Sequence, residues 1–116
     1  FTPMRRNHEF DTARNGWVGD YSDPSNMLDL MCTTNGNNDG QYTNPDYDAA
    51  MELSRTTLDA AERSKALHEA EDILMEDAGC IPLAYYNDFY LMSNKITGAW
   101  HSAYGYWHFM YADITE

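Results

Sequence analysis

The chain has 116 residues, 43% apolar and 14% aromatic, enough to build one domain around one modest core. Seven basic against 19 acidic residues give a net charge of -12, which repels phosphate backbones and anionic lipid headgroups and argues against nucleic acid as a partner. No apolar run is long enough to span a membrane, and no basic, hydrophobic and small-residue succession marks a signal peptide.

The opening "FTPMRRNHEFD" is charged, lacks a clear period and starts at Phe1, so residues 1–116 are expected to be a single fragment of a longer protein. Residues 9–19, "EFDTARNGWVG", predict a short strand that opens at its glycines, with Phe10, Thr12 and Arg14 on one face. Behind it, Ser22, Asp23 or Ser25 can cap a short helix that has Pro24 near its first turn and carries Met27, Leu28 and Met31. "CTTNGNNDGQYTN" has no period, and its Asn-Gly and Asp-Gly pairs make it a polar loop.

Asn44 before Pro45 is a helix start, and Tyr47, Ala50, Met51, Ser54 and Leu58 follow at spacings that draw one apolar stripe. A second helix opens at Asp59 with Glu62 placed for a capping box; Ala66, Ala70, Ile73, Leu74 and Ala78 form its buried stripe, and Gly79 ends it. Its other face, including Glu62, Arg63, Lys65 and Glu69, is expected to be solvated. From Ile81 the composition turns aromatic and aliphatic, which predicts one strand, or two joined near Asn87 and Asp88, with Pro82 at a strand's beginning or edge. Residues 95–107 are a glycine-punctuated connection, and 107–114 alternate as a closing strand. The sum is a mixed α and β piece.

Chemistry is sparse. Asn35, Asn37, Asp39, Gly40 and Asp46 fall on EF-hand positions, but the neutral first ligand and the short last one favour a plain turn. The four histidines have no metal-ligand spacing, and no nucleophile elbow accompanies them. Cys32 and Cys80 match no zinc motif and read as free buried thiols, with one bridge as the alternative. No catalytic set, metal or cofactor is expected.

"NGWVGD" is different in kind. Either it is an ordinary strand end with Asp20 capping a turn, or it is an open edge: glycines at 16 and 19 admit another backbone, Trp17 supplies an aromatic wall, and Asp20 sets one carboxylate at its mouth. The second arrangement suits an extended peptide that adds as a strand with its amine on the carboxylate.

Four stretches, "ARNGWVGDYSDPSNML", "GQYTNPDYDAAM", "DAAERSKALHEAEDILMEDAGCIPLAYYNDFYLMS" and "GAWHSAYGYWHFMYADI", agree in identity and order with one family. The chain resembles the C-terminal segment of the oligopeptide-binding proteins of ABC transporters. The resemblance implies an α/β segment of a type II periplasmic-binding-protein-like fold that forms one wall of a two-lobed cleft. It implies capture of oligopeptides for import, without catalysis, by an extracytoplasmic protein that is periplasmic or lipid-anchored and works with a membrane permease. It places the peptide's α-amino group on Asp20, a side-chain pocket at Trp17, main-chain pairing at Gly16 to Val18, and Arg14 in the cleft. Val18 stands where one subgroup carries a bridged cysteine, so that bridge is not transferred. Relatives that take dipeptides, nickel, haem or sugars are the near alternative, and a small carbohydrate-binding or carbohydrate-active domain the distant one. Helix stripes left without a partner would promote self-association.

Overall fold

The structure is a computed structural model and describes residues 1–115. The chain divides into two compact units, Phe1–Pro82 and Leu83–Glu116, each described by itself.

The first unit is helical. Helix α1 (Thr2–Arg6) opens it, a short turn the sequence reading did not anticipate, with Pro3 in its first turn where a missing N–H removes nothing. Helix α2 (Ser25–Leu28) runs into one tight helical turn, Asp29–Met31. Two longer helices follow, α3 (Pro45–Thr56) and α4 (Ala60–Glu76). Asn44 starts α3 as expected: its side chain accepts from Asp46 N and Tyr47 N at 2.8 and 3.2 Å. Asp59 starts α4 by accepting from Glu62 N at 2.8 Å, while the Glu62 carboxylate takes the Thr57 hydroxyl instead of closing the reciprocal box.

The stripes meet largely as read, with Leu58 and Ala78 at their ends outside them and Ile73 only half-buried. Tyr47, Ala50, Met51 and Ser54 are buried on α3, and Ala66, Leu67, Ala70 and Leu74 on α4. Leu58 is fully exposed, because α3 ends at Thr56 and the extended Thr57 turns the next residue out of the helical register. Cys32 joins this cluster, and Leu28, Met31, Tyr42, Ile73 and Cys80 pack around it. The Tyr47 hydroxyl donates to Leu28 O at 2.6 Å, and burial pushes its phenol well above the ordinary range. Both cysteines are free thiols, raised by burial.

The end of α4 departs from expectation. Gly79 N donates to Leu74 O and Ala78 N to Met75 O, a Schellman closure whose left-handed residue is Ala78, at φ 51, and not the glycine. Ala78 is therefore exposed in the turn and not part of the buried stripe. Gly79 is needed for closeness: a Cβ there would lie 2.6 Å from the Tyr42 ring and 2.8 Å from Leu74.

The second unit holds the ladders. Strand β1 (Ile96–Thr97) pairs antiparallel with β4 (Asp113–Ile114), and β2 (Trp100–His101) with β3 (Trp107–His108). Strand structure thus appears inside the stretch read as a connection, and the closing strand splits at a turn where Ala112 N donates to Phe109 O. Gly98 makes the crossing possible, since a Cβ on it would sit 1.9 Å from Tyr111 O. Cross-strand aromatics stack, Trp100 on His108 at 3.9 Å and His101 beside Trp107 at 5.0 Å. The strand expected from Ile81 is not formed. Residues 81–92 are exposed throughout and belong to no ladder among the described residues. No helix among the described residues is long and apolar enough to cross a membrane.

Candidate functional site

Residues 13–19 take no regular secondary structure, which corrects the strand expected over 9–19. A ladder needs a neighbouring strand, and among the described residues no backbone-to-backbone hydrogen bond involves residues 15–20. One amide is locally satisfied: Gly16 N donates to Asn15 Oδ1 at 2.8 Å. The same oxygen accepts from Arg5 Nη1 at 2.5 Å, and Arg5 Nε pairs with Asp39 at 2.7 Å. Asn15 thereby ties the segment to α1, and Arg5 ties it to the polar loop.

The predicted residues sit along this segment in sequence. Trp17 is 36% exposed and its indole Nε1 donates to Asn26 Oδ1 at 2.9 Å, so the ring is fastened on one edge and open on a face. Val18 points out at 67% exposure, Gly19 is half-buried, and Asp20 and Arg14 are exposed. A Cβ on Gly19 would meet Met27 Cε at 3.7 Å and Asn26 Cγ at 3.8 Å, so the backbone there lies on α2 in ordinary contact.

Below the loop is a second tie. Asp23 Oδ1 accepts from Ser25 N at 2.9 Å and from Arg63 Nη2 at 2.8 Å, but the N-cap of α2 is Pro24, none of the three expected residues, and no side chain caps the helix. Arg63 Nε donates to Ser54 O at 3.1 Å, so one guanidinium bridges the loop, α3 and α4. Arg63 is half-buried here and not on a freely solvated face. The signal was available: 63, 67, 70 and 74 continue the buried period of α4 one turn toward its start. Asn26, buried on α2, gave no such signal.

The Arg63 hydrogen bond, then the Ser25 N–H, hold the Asp23 carboxyl well below its ordinary 3.8. Asp77 is lowered too, by Asn44 and then by the Tyr42 hydroxyl, at 2.6 and 2.7 Å. A carboxyl lowered in the folded state stabilises it above the unfolded value and loses that contribution as pH falls. Acidification from about pH 5 toward pH 2 is therefore expected to release the Trp17 loop, read as a shift in indole emission. Asp23→Asn should remove most of that dependence while leaving the part that belongs to Asp77.

The EF-hand-like loop is organised by its own amides. Buried Asn38 donates to Cys32 O and Tyr42 O and accepts from Tyr42 N, while Asn35 accepts from Asn37 N. Among the described residues no group of three or more His, Cys, Asp or Glu could hold a metal ion. A polar cavity of about 690 Å³ lies between α1 and this loop, lined by Arg5, Arg6, His8, Asn37 and Gln41 among others, and it lies apart from the Trp17 ring.

No family model matches the chain. Curated relatives do. The periplasmic oligopeptide-binding protein OppA of Haemophilus influenzae is 36% identical over 98 residues, 84% of this chain and 18% of that protein. The oligopeptide-binding protein OppA of Bacillus subtilis is 32% identical over 91 residues, 78% of this chain and 17% of that protein. The chain therefore spans under a fifth of the length of these relatives. Among solved structures, that of Haemophilus influenzae OppA in complex with RPPGFSPFR aligns with a TM-score of 0.64 and 38% identity, covering 67% of this chain and 15% of that one. The α3 and α4 pair and these alignments agree, and the chain is a homologue of the C-terminal segment of the oligopeptide-binding proteins, with the matching part of their type II periplasmic-binding-protein-like fold.

Proposed function

We propose that this chain supplies one wall of the ligand cleft of an extracytoplasmic solute-binding protein that captures oligopeptides and passes them to an ABC permease. The observation that carries the reading is the segment 13–19, which belongs to no helix or ladder among the described residues and leads directly into an exposed carboxylate, Asp20. An incoming peptide adds its main chain along Trp17 and Val18, with its α-ammonium at Asp20 and a side chain against the open face of Trp17. Arg14 stands on the same segment, and the family resemblance puts it in the cleft. Gly16 contributes space more than a donor, because its N–H is already held by Asn15. Affinity then comes from main-chain bonds and the charge pair, both indifferent to peptide sequence, and no bond is made or broken.

The reading is tested with a hybrid in which this chain replaces the segment it matches in Haemophilus influenzae OppA. Calorimetry with a free tripeptide should give heat with the hybrid and none at micromolar concentrations with the isolated chain, which holds only one side of the cleft. Nickel, haem or maltotriose binding in place of the tripeptide would select the alternative relatives and end the peptide reading. The isolated chain is also expected to self-associate, because Leu83, Tyr85, Phe89 and Leu91 are 86–105% exposed.

A further inference from the structure

We propose that Asn26 is a positioning residue, which fixes the indole of Trp17 and through it the shape of the side-chain pocket. The inference rests on the reading of Trp17 as a cleft wall and adds a residue that the sequence did not mark. Asn26 is only 6% exposed, and its Oδ1 receives the indole N–H at 2.9 Å. An indole N–H can only donate, so the amide must turn its oxygen toward Trp17. That choice leaves Nδ2 buried with no hydrogen-bond partner among the described residues. A stranded buried donor is unfavourable, and an apolar side chain of the same size would fill the position without one. What the amide does here that a leucine cannot is hold the indole.

The support beneath Asn26 is itself fixed. Asp23 holds the turn into α2 through Ser25 N, and Arg63 clamps Asp23 to α3 and α4. Gly19 lies beside the Asn26 amide from the loop side, where a Cβ would reach Asn26 Cγ at 3.8 Å. Arg63, Asp23, Asn26 and Trp17 therefore form one line of contacts from the helical core to the open ring face. Without the last of these bonds Trp17 keeps its place in the chain but loses its one fastened edge, and the pocket it borders loses a fixed wall.

The first test uses this chain alone and reads the Trp17 indole by proton–nitrogen NMR, with the resonance assigned by its loss in Trp17→Phe. Asn26→Leu should speed exchange of that N–H with water by at least about tenfold, since a protecting hydrogen bond is gone. The melting temperature should be unchanged or higher, because the stranded donor is gone too. Asn26→Asp, which keeps an acceptor, should retain slow exchange. Unchanged exchange in Asn26→Leu, or equal acceleration in both variants, overturns the proposal. In the hybrid, Asn26→Leu should weaken tripeptides with bulky side chains several-fold more than triglycine, a selectivity that loss of fold would not produce. Equal weakening of both overturns the pocket role. A hybrid that binds no peptide refutes the peptide reading, and the indole exchange then decides the placement of Trp17 on its own.

Discussion

Met51→Ala is expected to lower the stability of the helical unit by about 2–5 kcal/mol, the range for truncating a large buried aliphatic side chain. Met51 is fully buried, on the α3 stripe, in a cluster with Tyr47, Leu67, Ala70 and Leu74. The loss has two parts, the transfer free energy of the deleted atoms and the cavity they leave between the two helices. A unit of 82 residues has only about 4–12 kcal/mol in hand at about 0.05–0.15 kcal/mol per residue. One substitution therefore removes a large share and can leave the unit partly unfolded at 37 °C. Urea denaturation followed by helical circular dichroism measures it. Leu53→Ala on the same helix, 41% exposed, should move the midpoint far less. Comparable shifts for the two would mean that the α3 and α4 contact is not the core.

Asp20→Asn in the hybrid is expected to weaken tripeptide binding by about 2 kcal/mol or more, roughly thirtyfold, the scale for truncating one member of a desolvated charge pair. Two effects oppose each other. Taking Asp20 and an ammonium out of water is unfavourable, and their attraction at close range with hydrogen bonds offsets it. The neutral variant leaves the desolvation of the ammonium in place and removes the attraction, so the loss exceeds the net value of the intact pair. A general field effect must be separated from this, because a chain of net charge -12 attracts any cationic peptide. Asp11→Asn makes the same one-unit change of charge at another exposed position on the segment. At physiological salt, with a screening length of about 8 Å, it should change affinity little.

The helices were legible because their signals are local. Asn44 before Pro45 and Asp59 before Glu62 satisfy N–H groups two or three residues ahead, and the stripes recur within a turn or two. Leu58 was misplaced because the period alone does not say where a helix stops, and Thr57 ends it one residue earlier. The strands were misplaced for a different reason. Residues 9–19 and 81–93 have strand composition, yet a strand exists only with a partner, and the pairs that form are β1 with β4 and β2 with β3, short segments around Gly98 and Gly105. Strand propensity in these two stretches was therefore read wrongly as a ladder. The end of α4 illustrates a similar limit: the sequence carried the helix to Gly79, but it ends at Glu76, Ala78 takes the left-handed conformation, and Gly79 makes room for Tyr42.

The candidate site divides the same way. Trp17 and Asp20 could be singled out from residue type and neighbours, since an aromatic and an acid three apart, each beside a glycine, are unusual on a short stretch. Their supports could not. Arg63 reaches Asp23 across 40 residues, and Asn26 reaches Trp17 from a helix too short to have a legible face. Contacts between distant segments depend on how α2, α3 and α4 pack, and no local period encodes that packing.

The central claim is that the carboxylate of Asp20 receives a peptide's ammonium group. Calorimetry on the hybrid, with one tripeptide in its free and N-acetylated forms, tests it most directly. Acetylation should cost about thirtyfold in affinity with Asp20 in place and almost nothing with Asp20→Asn, because the two changes remove the same interaction. Equal affinity for the free and acetylated peptides with Asp20 present would contradict the account.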